Sequence, residues 1–150
     1  MPSTWSQLLF HFVFSTKQRE PFIDPQLQPR LYDYIGGTIR GERGTLLAIG
    51  GAPDHLHLLV RWRTDAAVSE LMRRVKGNSS LWVHETFPDR HHFAWQEGYA
   101  VFSVSKSQVS SVKQYIDSQE EHHRERDFKS ELLALLRAHD VEFDERYVFD

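Results

Sequence analysis

The sequence contains no cysteine. This absence excludes disulfide scaffolds, zinc fingers, thiolate metal sites and cysteine nucleophiles, and it is compatible with a reducing compartment. A chain of 150 residues with 40% hydrophobic and 13% aromatic residues has the composition of a single domain. Such a domain hides about 68–70% of its unfolded surface, so it needs neither a disulfide nor a structural metal to fold. We therefore expect one compact domain, residues 1–150.

Long apolar runs are also absent. No segment approaches the roughly 18–20 apolar residues that cross a bilayer. The apolar stretch near the first residue lacks the basic segment that precedes the core of a secretory signal. We expect a cytoplasmic protein with no membrane partner.

The chain has no overall excess of positive charge: its net charge is −3. This balance argues mildly against binding long nucleic acid through phosphate neutralisation alone. The acidity is concentrated in residues 127–150, which we expect to form an acidic C-terminal helical extension. Residues 61–76 instead carry a local excess of +3, which favours either phosphate contacts or a solvated helix face. The basic residues of this stretch are Arg61, Arg63, Arg73, Arg74 and Lys76.

The hydrophobic periodicity predicts the order β-α-β-β-α-β followed by further helices. The predicted strands are 6–16, 45–51, 55–62 and 99–105. The predicted helices begin at Pro25 after an Asp24 cap, at Thr64 or Asp65 with a break or kink at Gly77-Asn78, after a Ser107 cap, and at Phe128. This order is typical of an α+β, ferredoxin-like split βαβ sandwich, with an antiparallel sheet, helices on one face, and C-terminal helices in addition. The opposite face would then be free for function.

His55 and His57 lie two residues apart in a predicted strand. Because successive strand side chains alternate between faces, both imidazoles point the same way and can share one metal ion. A pair of packed or surface histidines is the alternative, and a metal site needs a third ligand. With oxygen ligands and a phosphate completing the shell, the expected ion is Mg²⁺ or Mn²⁺.

Tyr115 and Gln119 lie four residues apart, on one face of a predicted helix. Together they could place a nucleophile and a metal ligand about one turn from each other. The alternative is a half-buried aromatic residue beside a solvated glutamine. His122 and His123 extend this helix as candidate proton carriers or as ordinary surface residues.

Five segments, in this order and spacing, resemble the single-tyrosine HUH transposases of bacterial insertion sequences with hairpin ends, including their REP-associated relatives. The resemblance covers residues 5–147. The segments are FHFVFSTKQR (10–19), IGGAPDHLHLLV (49–60), RVKGNSSLWV (74–83), WQEGYAVFSVS (95–105) and VKQYIDSQEEHH (112–123).

The resemblance implies a bacterial, nucleoid-associated enzyme that cuts and rejoins single-stranded DNA at hairpin-bearing ends through a 5′-phosphotyrosine. It places His55 and His57 on the HUH pair, Tyr115 on the nucleophile and Gln119 on the third ligand of Mg²⁺ or Mn²⁺. It also implies a homodimer with composite active sites, in which one chain supplies the histidines and the other chain supplies the tyrosine.

The sequence departs from this pattern at Ala52, where some members carry an acidic residue. Asp54 is expected to face the opposite side from His55, which leaves the metal shell to be completed by water or DNA. His11 is expected to be a packed, hydrogen-bonded histidine.

Two other functions stay open. One is a host-retained protein that binds a DNA hairpin with little or no cleavage. The other is a metal-dependent phosphodiesterase that uses water, in which Tyr115 is structural.

Overall fold

The computed structural model describes residues 3–119 and 127–149, and the candidate proton carriers His122 and His123 lie outside these ranges. Four strands form one antiparallel sheet in the order β2-β3-β1-β4. They are β1 (Leu8–Ser15), β2 (Thr45–Ala52), β3 (His55–Trp62) and β4 (Ala100–Val104). The helices of the described ranges are α1 (Gln28–Gly41), α2 (Val68–Thr86), α3 (Val109–Asp117) and α4 (Phe128–Ala138). The predicted βαββαβ order is confirmed.

One face of the sheet holds the main hydrophobic core. Alternate residues of β1 and β3, among them Phe12, Phe14 and Leu58, are fully buried against α1 and α2. Leu31 and Ile35 of α1 and Leu71 of α2 meet them there, as the helical spacing of these apolar residues predicts. This face accounts for most of the buried apolar side chains.

The other face, expected to be free, is covered by the C-terminal helices. Ile116 of α3 packs on Ala48 and Leu59, and Phe128 and Leu132 of α4 pack near Val13. The sheet therefore lies between two helical layers, and the second layer is built by the C-terminal part of the chain. The predicted acidic extension contributes α4 to this layer.

Three predicted helix boundaries are wrong. The first helix begins at Gln28 rather than Pro25, because the Asp24 carboxylate accepts the N–H groups of Gln26 and Leu27 in a separate preceding turn. The second helix begins at Val68, since Asp65 pairs with Arg63 and Arg43 instead of capping it. The third begins at Val109, after a 3₁₀ turn over Lys106–Gln108 that includes Ser107, so Ser107 does not cap it.

The helix break predicted at Gly77-Asn78 is also wrong, because α2 continues through both residues. The connection between β2 and β3 is the expected hairpin: Ala52 pairs directly with His55 across Pro53 and Asp54. No helix within the described residues is long and apolar enough to span a membrane.

Candidate active site and metal centre

Strand β3 places His55 and His57 on the face that α3 and α4 cover. Both side chains are fully buried, and their ring centroids lie 5.1 Å apart. Leu56 and Leu58 point into the opposite core, as strand alternation requires. The predicted pairing of the two imidazoles on one side is therefore observed in the fold.

Hydrogen bonds at the Nδ1 atoms orient both rings. His55 Nδ1 lies 2.8 Å from a carboxylate oxygen of Asp54, and His57 Nδ1 lies 2.8 Å from Nε2 of His11. Such partners fix the tautomer and the plane of a metal-binding imidazole. His11 is thus packed and hydrogen-bonded as expected. The expectation that Asp54 faces away from His55 is wrong, because Asp54 lies in the turn, where strand alternation does not apply.

Helix α3 and the residues after it bring Tyr115 and Gln119 to the histidines. Gln119 is buried, its Oε1 lies 3.1 Å from His55 Nε2, and its amide nitrogen donates to the carbonyl of Tyr115. Gly50 allows this approach, since a Cβ there would lie 2.3 Å from the backbone oxygen of Ile116. A glycine in β2 therefore determines how closely the tyrosine helix packs on the sheet.

Glu131 of α4 completes the cluster, and sequence reasoning missed it. It is 2% exposed. One carboxylate oxygen accepts the hydroxyl hydrogen of Tyr115, and the other lies 3.0 Å from His57 Nε2 and 3.4 Å from His55 Nε2. A signal was present in the sequence: Glu131 lies between Phe128 and Leu135 at helical spacing, so it is an acid within an apolar stripe.

Burial tends to lower the pKa of both His55 and His11, and the neighbouring groups of each histidine decide the net shift. Burial tends to lower the pKa of His55, but its hydrogen bonds to the Asp54 and Glu131 carboxylates outweigh this effect and raise the pKa to about 9. Burial and, to a smaller extent, the neighbouring His57 together lower the pKa of His11 to about 3. His11 is therefore neutral at pH 7, while His55 carries a proton in the metal-free protein.

The donor atoms of the cluster fit a divalent metal ion. A ring nitrogen from each of His55 and His57 and a carboxylate oxygen of Glu131 all lie within 4.8 Å of one another. The amide oxygen of Gln119 faces the same point through its contact with His55. Two imidazoles, a carboxylate and an amide suit Mn²⁺ or Mg²⁺ at a phosphate. Glu131 of α4 would thus supply an acidic ligand in place of the one missing at Ala52.

The five predicted DNA-contacting residues do not line this cluster. Three of them lie on α2, across the sheet from the histidines. Arg73 and Arg74 pair with Glu70, and Lys76 donates to the carbonyls of Glu97 and Gly98. Arg61 and Arg63 are the remaining two. The guanidinium group of Arg61 binds Gln7, and that of Arg63 binds Asp65.

A known protein family matches most of this chain. Residues 4–119 match the family described as "Transposase IS200 like". The chain belongs to the IS200-like transposase family. The match ends at Gln119, so it includes both histidines and Tyr115 but not α4.

Curated relatives of the family align with most of the chain. The transposase of insertion sequence IS200 from Salmonella typhimurium is 27% identical over 131 residues, which cover 84% of this chain and 83% of the relative. The ISDra2 transposase TnpA of Deinococcus radiodurans is 22% identical over 118 residues, which cover 75% and 84%. The IS200-like chain is therefore a transposase in the broad sense, a protein of DNA recombination.

Solved structures show the same fold. A crystal structure from Deinococcus radiodurans R1, described as that of a transposase, superposes with a TM-score of 0.64 at 22% identity, covering 79% of this chain and 95% of that one. A REP-associated tyrosine transposase bound to a REP hairpin superposes with a TM-score of 0.60 at 16% identity, covering 82% and 73%. The predicted ferredoxin-like class is confirmed.

Proposed function

We propose that this chain cuts and rejoins single-stranded DNA at hairpin-bearing ends through a covalent link between Tyr115 and a 5′ phosphate. One observation carries the proposal: the Tyr115 hydroxyl, two buried histidines, Gln119 and Glu131 converge in one cluster. A structural tyrosine has no need of a buried carboxylate and two imidazoles beside its hydroxyl. A nucleophile that attacks a phosphodiester does, because charge develops there during the reaction.

His55, His57, Gln119 and Glu131 would hold Mg²⁺ or Mn²⁺. A divalent ion at this point supplies Lewis acidity to the non-bridging oxygens of the scissile phosphate. Asp54 and His11 keep the two imidazoles in the orientation that presents Nε2 to the cluster. Glu131 also positions the Tyr115 hydroxyl, which donates its hydrogen to that carboxylate.

The reaction exchanges one phosphodiester for another. The Tyr115 oxygen forms a bond to phosphorus as the bond from phosphorus to the 3′ oxygen breaks. The tyrosine loses its phenolic proton, and the departing 3′ oxygen gains one to become a hydroxyl. Attack by a different 3′ hydroxyl reverses the step, so rejoining needs no nucleotide cofactor.

Binding of a DNA hairpin is supported by the neighbour solved with a REP hairpin. In this chain the basic residues of α2 lie away from the cleavage cluster, so a hairpin held there would be separate from the strand that is cut. Such contacts to phosphates would position the DNA without reading its sequence. Arg73, Arg74 and Lys76 are the residues we assign to this role.

The oligomeric state belongs to the same proposal. The resemblance implies a homodimer with composite sites, whereas a single chain here brings Tyr115 to His57 and Glu131. A dimer could therefore carry two sites that each draw their groups from one chain. Assembly of the site across two chains is not needed to explain the geometry.

The test is incubation of the purified protein with single-stranded DNA from the flanks of its own gene, with Mg²⁺ or Mn²⁺. Denaturing electrophoresis and mass spectrometry then reveal any protein–DNA adduct. We expect an adduct at Tyr115 and a free 3′ hydroxyl. Tyr115→Phe should abolish the adduct but bind the hairpin with unchanged affinity. Tyr34→Phe, a change of the same kind at a ring stacked on Trp82, is the matched control.

The alternatives give different results in the same assay. Hairpin binding with no cleavage in either metal would indicate a retained DNA-binding protein. Cleavage without an adduct, unaffected by Tyr115→Phe, would indicate that water is the nucleophile.

A further inference from the structure

An open groove of about 690 Å³ begins at the reactive tyrosine. It lies between the end of β4, helix α3 and helix α4. Tyr115 and Glu131 line one part of it, so the groove is continuous with the cleavage cluster. Ligand sites typically enclose about 300–1,000 Å³. The groove is therefore large enough for a nucleotide, and the mechanism proposed above leaves it unused.

Beyond Tyr115 and Glu131, the lining of the groove is mainly apolar with neutral hydrogen-bonding groups. Val112 of α3 and Leu135 of α4 line it, and the small side chains of Ala134 and Ala138 lie on its α4 side. Hydroxyls and an amide lie around the rim; they belong to Ser103, Ser105, Ser111 and Gln108. No lysine or arginine occurs among the described residues that line it.

This chemistry matches a nucleobase better than a phosphate. A phosphate would need positive charge, whereas a flat neutral ring gains from apolar walls, and neutral donors and acceptors can bind its edge. An aromatic surface is also at hand, since the ring of His139 lines the groove and stacks on Phe102 with centroids 4.2 Å apart. The groove thus offers both stacking and edge recognition.

We propose that this groove binds one unpaired nucleobase of the substrate strand, next to the phosphate that Tyr115 attacks. The inference rests on the proposed function for the identity of the strand, but the groove itself is independent of catalysis. A base held there places its own backbone phosphate close to the tyrosine, because base and phosphate belong to one nucleotide. Holding the reacting groups in this way lowers the entropic part of the barrier.

The first arm of the test measures binding without cleavage. The protein is labelled at its alanine methyl groups and titrated with deoxydinucleotides of each base at millimolar concentration, with the NMR methyl signals recorded. We expect the signals of Ala134 and Ala138 to shift, because a stacked ring changes the local field. Ala66 packs in the main core on the other face of the sheet and should stay unchanged.

Two results of this arm would overturn the proposal. One is the absence of a shift at Ala134 for every dinucleotide. The other is a shift at Ala134 that depends on protein concentration alone, which would assign the groove to a second copy of the chain. The variant Ala138→Phe, which fills the groove at an exposed position, should remove the dinucleotide shift at Ala134. Ser130→Phe adds the same ring to α4 outside the groove and should not.

The second arm uses cleavage. Once the cut site is mapped, each nucleotide beside it is replaced in turn by an abasic residue. We expect one replacement to slow adduct formation by about tenfold or more, in line with the loss of one stacked base. Ala138→Phe should slow cleavage of the intact strand but add little on the abasic strand, since both changes remove one interaction.

The two arms separate the failure of each idea. Normal cleavage that is insensitive to abasic residues at every position overturns the groove proposal and leaves the transposase chemistry intact. No adduct on any strand, together with dinucleotide shifts at Ala134, overturns the proposed chemistry and supports the groove.

Discussion

The two faces of the sheet are built from the same strands but serve different purposes. On β3, Leu56 and Leu58 enter an apolar core with α1 and α2, while His55 and His57 enter a polar cluster with α3 and α4. The side-chain period of two separates the two sets along one strand. A strand can therefore be a stable part of the core and a carrier of reactive groups at once.

The two faces also contribute differently to the free energy of folding. Burying histidines and a carboxylate is unfavourable unless each finds a partner. Here His11 and Asp54 supply partners from neighbouring parts of the chain, and Glu131 supplies one from α4. Burial of apolar side chains on the other face offsets the remaining free-energy cost. Changes on the apolar face should therefore reduce mainly stability, and changes in the polar cluster should reduce mainly activity.

The largest expected effect comes from removing a histidine. His57→Ala should reduce adduct formation by on the order of a thousand-fold or more, because it removes a metal-binding nitrogen. Leu58→Ala, one residue away on the other face, should cost about 2–5 kcal/mol of unfolding free energy. While folded, this leucine variant should form the adduct at a rate within a few-fold of the wild type.

Adduct assays and urea titrations of both variants check this contrast. Normal adduct formation by His57→Ala would contradict the predicted contrast, and so would a Leu58→Ala protein that is folded but inactive.

The second effect is at Glu131, the ligand that α4 would add to the proposed metal site. Glu131→Gln keeps the size of the side chain but removes its charge, so the affinity for Mn²⁺ should fall by at least about 10–100-fold. Glu142→Gln makes the same charge change at an exposed position and serves as control. Calorimetric titration with Mn²⁺ measures both affinities. Equal affinities would remove Glu131 from the metal site.

The third prediction compares alanine substitutions at two glycines with different surroundings. Gly50→Ala should cost about 1–3 kcal/mol and slow adduct formation, since the new methyl group would overlap the backbone of Ile116 and push Tyr115 away. Gly77→Ala in α2 meets nothing within 4 Å and should stabilise the protein by about 1 kcal/mol. Thermal unfolding and single-turnover adduct assays test the pair. A Gly50→Ala protein with wild-type activity would contradict the close packing of α3.

The smallest effect is the pH dependence of the metal-free protein. His55 binds its proton more tightly when folded, so its contribution to stability is present below 6.5 and is lost as the pH rises through about 9. His11 behaves in the opposite way: its contribution is present above 6.5 and is lost as the pH falls through about 3. These two groups therefore favour maximum stability near pH 6.5.

Urea titrations across this range, with metal chelated, measure the effect. His11→Gln keeps an amide beside His57 but does not titrate, so the loss of stability toward low pH should become shallower. If the loss of stability toward low pH were unchanged in His11→Gln, folding would not lower the pKa of His11.

Local sequence patterns predicted the strands and helices and most residues of the candidate site. Strand alternation placed His55 and His57 together, and the resemblance supplied roles for Tyr115 and Gln119. The order of strands and helices along the chain followed from the hydrophobic periodicity. These features depend on residues close together in the sequence or on a familiar order of elements.

The missing parts depend on contacts between distant segments. Glu131 reaches His57 across 74 positions, and no spacing within the chain signals that contact. Asp54 was misplaced because it lies in a turn, where the side chain can reach back to His55. The start of α2 was misplaced because Asp65 binds arginines rather than the helix end. In each case a tertiary contact overrides a local preference.

In the proposed arrangement, one chain supplies the whole cleavage site. A mixture of Tyr115→Phe and His57→Ala proteins tests it most directly, with wild-type protein as the reference for adduct formation. Each variant lacks one essential group, and the groups lie together in a single chain, so we predict that the mixture forms no adduct. Recovery of the adduct in the mixture would show that the tyrosine of one chain serves the histidines of another, and would contradict the account.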